Sequence, residues 1–232
     1  MAGANAGELA VSISNYLTAR HMPPTQAWMQ SLIPSIRPTT PLISLQKTAL
    51  FRILATDLQT SIQKSPGPCF PPRIPDPNVK EISVAGPVTV QVLDIEDIGR
   101  SRWSQVEAIE AQERGETTRG REIVRVASDE NDSATGRQSQ ESRSNGPHKL
   151  CLQDANGTKV YAMELTPVNG IDVHMAIGTK LVLRDCIVAR GLVLLEPRNA
   201  EILGGKVDVW DKRWKEERKQ RLREKAHMRE GG

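Results

Sequence analysis

The sequence predicts an α+β fold, on three observations. Apolar residues recur at helical spacing near the N-terminus. They alternate with period two through much of the later chain, and a basic, tryptophan-containing helical stretch follows. The expected architecture is an N-terminal three-helix bundle (1–64), a proline-rich connector (65–86), a small β-barrel (87–205) and a basic C-terminal helix (206–232). A long insertion, 96–148, is expected after the barrel's first strand.

In the first helix Leu9, Ile13, Tyr16 and Leu17 fall on one face. The second follows Pro23-Pro24, contains Trp28, Met29, Leu32 and Ile33, and is expected to stop at Pro34, since proline lacks the N–H that continues a helix. The third is expected over about Pro41–Gln63, with Leu50, Phe51, Leu54, Leu58 and Ile62 on one side. Short amphipathic helices gain most of their stability by packing together, which favours a bundle. Six prolines in 65–86 exclude helix and central strand, and so predict an extended connector.

Alternation begins at Pro87, with Val88, Val90 and Val92 on one face and Thr89 and Gln91 on the other, through about Ile95. Lys149–Gln153 pairs with Thr158–Leu165 across a turn at Asn156-Gly157, a dipeptide suited to positive φ. Lys180–Val188 and Leu192–Leu195 form a second hairpin about Arg190-Gly191, and Ala200–Leu203 adds a short closing strand. Short strands joined by close hairpins predict a closed barrel. Within the insertion, Trp103, Val106 and Ile109 suggest a short helix. Glu113–Pro147 is too polar to offset the entropy of ordering and is expected to be disordered in isolation. Taken alone, such a loop reads equally as a tolerated surface insertion or as a functional one. Its serines between Ser128 and Ser144 are candidate phosphate acceptors.

Composition narrows the function classes. Net charge is only +3, yet residues 211–230 hold nine Lys/Arg against five Asp/Glu. Cys69, Cys151 and Cys186 are widely spaced and no Cys-x-x-Cys occurs, so neither a metal nor a disulfide framework is expected, and an intracellular, reducing compartment fits. No apolar run approaches the roughly 18 residues that span a bilayer, and Met1–Ala10 lacks a signal-peptide pattern, so no membrane association is expected. Phosphate-loop, dinucleotide, zinc-protease and nucleophile-elbow motifs are missing, so neither enzymatic activity nor a cofactor is predicted. Between Gly86 and Val209 only Trp103 and Tyr161 are aromatic. A stacking platform for single-stranded nucleic acid needs several such rings, each contributing about 1–3 kcal/mol. The barrel therefore reads as a protein-binding module. Weak, salt-sensitive DNA contact is assigned to Lys212, Arg213, Lys215, Arg218, Lys219 and Arg221 on the C-terminal helix.

The runs Leu150-Cys-Leu-Gln-Asp-Ala-Asn-Gly-Thr158, Val160–Leu165, Ile177–Leu183 and Gly191–Asp208 resemble the N-terminal OB-fold domain of the RecQ-mediated genome instability protein 1 family. Trp28 with its helix, Leu54-Ala-Thr-Asp-Leu58, Val90–Ile95 and Trp103-Ser-Gln-Val106 support the resemblance more weakly. It implies that the barrel is an OB-fold, and that the chain is a nuclear, non-catalytic partner of topoisomerase III and a RecQ-family helicase. In that family the assembly resolves double Holliday junctions during recombination, repair and replication. It further implies that the insertion reaches toward the topoisomerase gate. On this chain Ile98, Arg100, Trp103, Val106 and Ile109 are the candidate contacts, with Trp103 as anchor. Animal members carry a second OB-fold further along. This chain stops after the first, and so is expected to be a short, fungal-type member. The competing expectation is a stand-alone OB-fold protein that binds single-stranded DNA.

Overall fold

Helices come first in a computed structural model that describes residues 6–35, 40–64, 69–119, 122–125 and 146–227. Helix α1 (Ala6–Thr18) buries Ile13 and Leu17. Helix α2 (Gln26–Leu32) begins where the Thr25 hydroxyl accepts from the Trp28 N–H (3.2 Å), and buries Trp28, Met29 and Leu32 before a 3-10 turn containing Pro34. The third predicted helix is two, α3 (Leu42–Leu54) and α4 (Leu58–Ser61). The Asp57 carboxylate accepts from the Gln59 N–H (3.0 Å) and so starts a new helix where the sequence suggested a continuous one. The break also corrects the inward face. Leu45, Ala49 and Ile53 point into the bundle, while Phe51 is 74% exposed.

The strands are β1 (Glu81–Val84), β2 (Val88–Asp97), β3 (Glu116–Arg119), β4 (Glu122–Arg125), β5 (His148–Asp154), β6 (Lys159–Glu164), β7 (Lys180–Leu183), β8 (Cys186–Ala189), β9 (Leu192–Leu195) and β10 (Ala200–Gly204). Two further helices are α5 (Arg102–Glu113) and α6 (Asp208–His227). Eight strands make one sheet in the order β1-β8-β9-β6-β5-β2-β7-β10, while β3 and β4 pair separately within the insertion. Only β6 and β9 run parallel within the eight-stranded sheet. The predicted strand Lys180–Val188 is split at Arg184-Asp185, where Asp185 has φ 47°. That bend sends β7, near one end of the sheet order, directly into β8 near the other, so the sheet curls into an OB-type barrel. Both predicted hairpins form. Gly157 takes φ 89°, and Arg190 and Gly191 take φ 48° and 80°.

The stretch 65–86 is more than a connector. Phe70 and Ile74 are buried in the barrel core, the Phe70 N–H donates to Asp154 Oδ2 (2.9 Å), and β1 pairs with β8. The long insertion consequently follows the sheet's second strand in chain order, β2. A four-residue edge strand is too short to show alternation, and the surrounding prolines masked it. Within the insertion, α5 extends through Glu113 and β3 pairs with β4 (116–119 with 122–125), in part of the stretch read as disordered. The remainder of that reading, with Ser128 to Ser144, lies outside the described residues.

Thr89 and Gln91, on the opposite face from the valines, are buried as well, because the helical bundle covers that face of β2. Thr89 Oγ1 donates to the His21 carbonyl (2.6 Å). Gln91 Oε1 accepts from the Leu58 N–H (3.0 Å), while its Nε2 donates to Asp57 Oδ1 (2.7 Å) and Gln153 Oε1 (3.1 Å). Gly205 passes so close that a Cβ there would stand 2.5 Å from the Leu54 carbonyl oxygen. Lys180 is fully buried nearby. Its Nζ donates to the Gly178 carbonyl (2.7 Å), and burial pushes its pKa down to about 8 despite the Asp57 charge.

Candidate partner-binding site

The base of the insertion is a braced corner. At its neck a Cβ on Gly99 would stand 2.8 Å from the Gly146 Cα, so glycine at both positions lets the chain enter and leave side by side. The Ile98 N–H donates to the Pro147 carbonyl (3.0 Å), and the Gly99 N–H to Asp97 Oδ1 (2.9 Å). On the returning strand, His148 Nδ1 lies 2.6 Å from Glu164 Oε2, with both side chains buried. The other Glu164 oxygen accepts from the Val168 N–H (2.8 Å).

Helix α5 starts at Ser101, whose hydroxyl accepts from the Ser104 N–H (3.1 Å). Gln105 and Val106 face inward, and Gln105 Nε2 donates to the carbonyls of Asp97 (2.8 Å) and Arg100 (3.2 Å), tying the helix to the turn before it. Helix α6 clamps the other side. Trp214 is buried with its indole N–H donating to Asp94 Oδ1 (2.6 Å), and the Ile177 N–H donates to Asp211 Oδ1 (3.0 Å). Glu113 and Glu110 of α5 pair with Lys219 and Arg223 of α6. Glu96 joins β2 to both helices through Arg102 (2.8 Å) and Lys225 (3.4 Å). Burial alone would raise the Glu96 pKa, but Lys225 and Arg102 overcome it and hold the carboxyl below its usual value.

The five expected contact residues divide accordingly. Ile98 and Trp103 are 41% and 40% exposed, Arg100 is also exposed, and the three lie within six positions at the turn and first turn of α5. Ile109 is half-buried. Val106 is buried, so it supports the corner rather than presenting a surface. Gln105, the two neck glycines and the His148–Glu164 pair were missed by sequence reasoning. No motif marks them, and only the meeting of β2 with β5 gives them a role.

The six cations assigned to DNA phosphates are all engaged within the molecule. Lys212, Arg213 and Lys215 face Glu216 (4.0 Å), Glu217 (2.7 Å) and Asp211 (2.8 Å), and Lys219 pairs with Glu113. Arg218 and Arg221 stack over Trp214 at 5.3 and 5.6 Å, and Arg221 also stands 3.8 Å from Asp94. Burial lowers the Arg218 pKa. A cation already matched by a carboxylate offers little net field to a phosphate backbone.

The helical bundle and the barrel correspond to two family models. The model of the RMI1 N-terminal helical domain matches residues 17–61, and that of the RMI1 N-terminal OB-fold domain matches residues 70–218. This chain belongs to the RMI1 family. The second match starts at Phe70, in agreement with the placement of Phe70, Ile74 and β1 in the barrel. RecQ-mediated genome instability protein 1 of Schizosaccharomyces pombe is 29% identical over 142 residues, 56% of this chain and 60% of that protein. The Xenopus laevis protein of the same name is 27% identical over 192 residues, 82% of this chain and 32% of that one. A mouse relative is 39% identical over 61 residues. The matched region thus spans between about a third and three fifths of the first two relatives' length.

Proposed function

We propose that this chain is a nuclear, non-catalytic subunit of a RecQ helicase–topoisomerase III assembly that binds the topoisomerase and modulates its strand passage. Through it the chain serves double Holliday junction dissolution, recombination repair and genome stability. The observation that carries this reading is the braced corner at Ile98, Arg100 and Trp103, on an OB-fold of the RMI1 family. A partner docking there meets exposed apolar side chains whose backbone is already fixed by Gln105, Asp97 and the α6 clamp, so little ordering entropy opposes binding. A subunit gripping the topoisomerase biases its open and closed states only if its contacts differ between them.

The test is co-elution of the purified chain with its cognate topoisomerase III in about 0.15 M salt, where exposed charges are largely screened. The parent chain forms a stable complex. Trp103→Ala and Ile98→Asp each weaken it by about tenfold or more, the scale expected of an anchor residue, while thermal unfolding stays unchanged. Failure of the parent chain to bind, together with tight retention of single-stranded DNA, overturns the reading in favour of a stand-alone DNA-binding protein.

A further inference from the structure

Beyond β2 in the sheet order, β5, β6, β9 and β8 carry a second surface. On β6 Val160, Ala162 and Glu164 point into the barrel, so Tyr161 and Met163 point out, followed by Leu165. Register extends the face across the sheet. Tyr161 stands opposite Leu192 of β9 and Cys151 of β5, Met163 opposite Leu194, and Ile187 of β8 continues it toward β1. Tyr161, Leu165 and Ile187 are 54%, 53% and 40% exposed, and Met163, Leu192 and Leu194 are half-exposed. An apolar patch running across four neighbouring strands is uncommon on a surface facing only water.

Two lysines sit within this face. Lys149 lies over the Tyr161 ring with its Nζ 4.2 Å from the centroid, and Lys159 follows the same outward row of β6. Among the described residues neither forms an ion pair, in contrast to the matched cations of α6. The OB-fold face made by these strands is one commonly used for ligands. Here it offers one aromatic ring among aliphatic side chains, which is poor for base stacking and good for burying apolar side chains. A second copy in a two-fold contact would bring Lys149 and Lys159 toward their own counterparts, so self-association is opposed by charge.

We propose that the outward face of β5, β6, β9 and β8 is a docking surface for an acidic peptide segment of a partner protein, whose apolar side chains cover Tyr161, Leu165 and Ile187 and whose carboxylates meet Lys149 and Lys159. The surface does not include Ile98, Arg100 or Trp103, and the inference stands whether or not the topoisomerase docks at that corner.

A displayed library of twelve-residue random peptides, selected on the full chain and counter-selected on Tyr161→Glu, tests it. Enriched sequences combine Asp or Glu with Leu, Ile, Phe or Trp. A labelled selected peptide, followed by fluorescence anisotropy, loses about tenfold or more in affinity with Leu165→Glu or Ile187→Glu. It loses roughly three- to tenfold with Lys149→Glu or Lys159→Glu, the latter losses shrinking as salt rises. Circular dichroism and Tm of each variant match the parent chain. Three outcomes overturn the proposal: no acidic-apolar enrichment; tight binding of oligo-dT that Tyr161→Ala abolishes; or sedimentation as a dimer that Ile187→Glu converts to monomer.

Discussion

The outer face of β2 and the outer face of β6, β9 and β8 belong to one barrel, yet the chain treats them oppositely. Over β2 it lays its own helices, the bundle at one end and the α5–α6 pair at the other, and several polar groups beneath them are matched: Gln91 with Asp57, Gln153 and Leu58, Trp214 with Asp94, Glu96 with Arg102 and Lys225. Over β6 and its neighbours it leaves aliphatic side chains and two lysines without ion pairs among the described residues. Where the chain has covered itself, substitutions should cost stability. Where it has not, they should cost binding and leave folding alone.

The sharpest attempt to break this contrast is Val106→Asp, which buries a charge beneath α5. It should destabilise the fold by about 3 kcal/mol or more, read as a drop in the denaturant midpoint, with the proposed topoisomerase binding lost because the corner is unseated. Tyr161→Glu on the bare face should leave that midpoint unchanged; an equal loss there would erase the distinction.

Gln91→Ala comes next. It strands the Leu58 N–H and the groups of Asp57 and Gln153, and a cost of about 2–3 kcal/mol is expected from a buried network left half-satisfied. Thermal unfolding should show it, with the helical bundle losing amide protection earlier than the barrel.

Lys180→Met sharpens the comparison with the opposite sign. The folded-state pKa is depressed, from 10.5 to about 8. Below pH 8 the ammonium is charged in both states, so the burial penalty, on the order of 3 kcal/mol, is present in full. Between pH 8 and 10.5 the folded amine is neutral while the unfolded one keeps its proton, so the parent chain gains stability with rising pH. Methionine removes the penalty and forfeits the Gly178 hydrogen bond, so a net gain of about 1–2 kcal/mol is expected at pH 7. That gain should shrink by pH 10 in parallel denaturation series; a pH-independent effect would contradict the assigned cause.

The smallest effect belongs to the exposed charges of α6. Arg213→Ala removes a solvent-facing pair with Glu217 and should give no measurable shift in Tm.

Local regularities were legible residue by residue. Ile13 and Leu17, the Asn156-Gly157 and Arg190-Gly191 turns and the alternation of Val88, Val90 and Val92 each follow from a helical or two-residue period within a few positions of chain. The C-terminal helix was equally plain from its basic, tryptophan-containing run. Of the candidate site, Ile98 and Trp103 were legible as apolar residues in a polar insertion. Gln105 and the two neck glycines were not, because their partners lie on segments that meet only when β2 pairs with β5.

Sequence alone determined the α+β class, the helical beginning, the hairpins and the family, since these depend on short-range periodicity and on runs of residues read in order. Tertiary structure decided the rest. It turned Thr89 and Gln91 into buried contacts by placing the bundle over them, drew Phe70 and β1 out of a proline-rich stretch into the barrel, and spent the charges of α6 on Asp94, Glu110 and Glu113. Which face stays bare is likewise a property of packing: a side chain's period says which way it points, and only the assembled elements say whether anything is there to meet it.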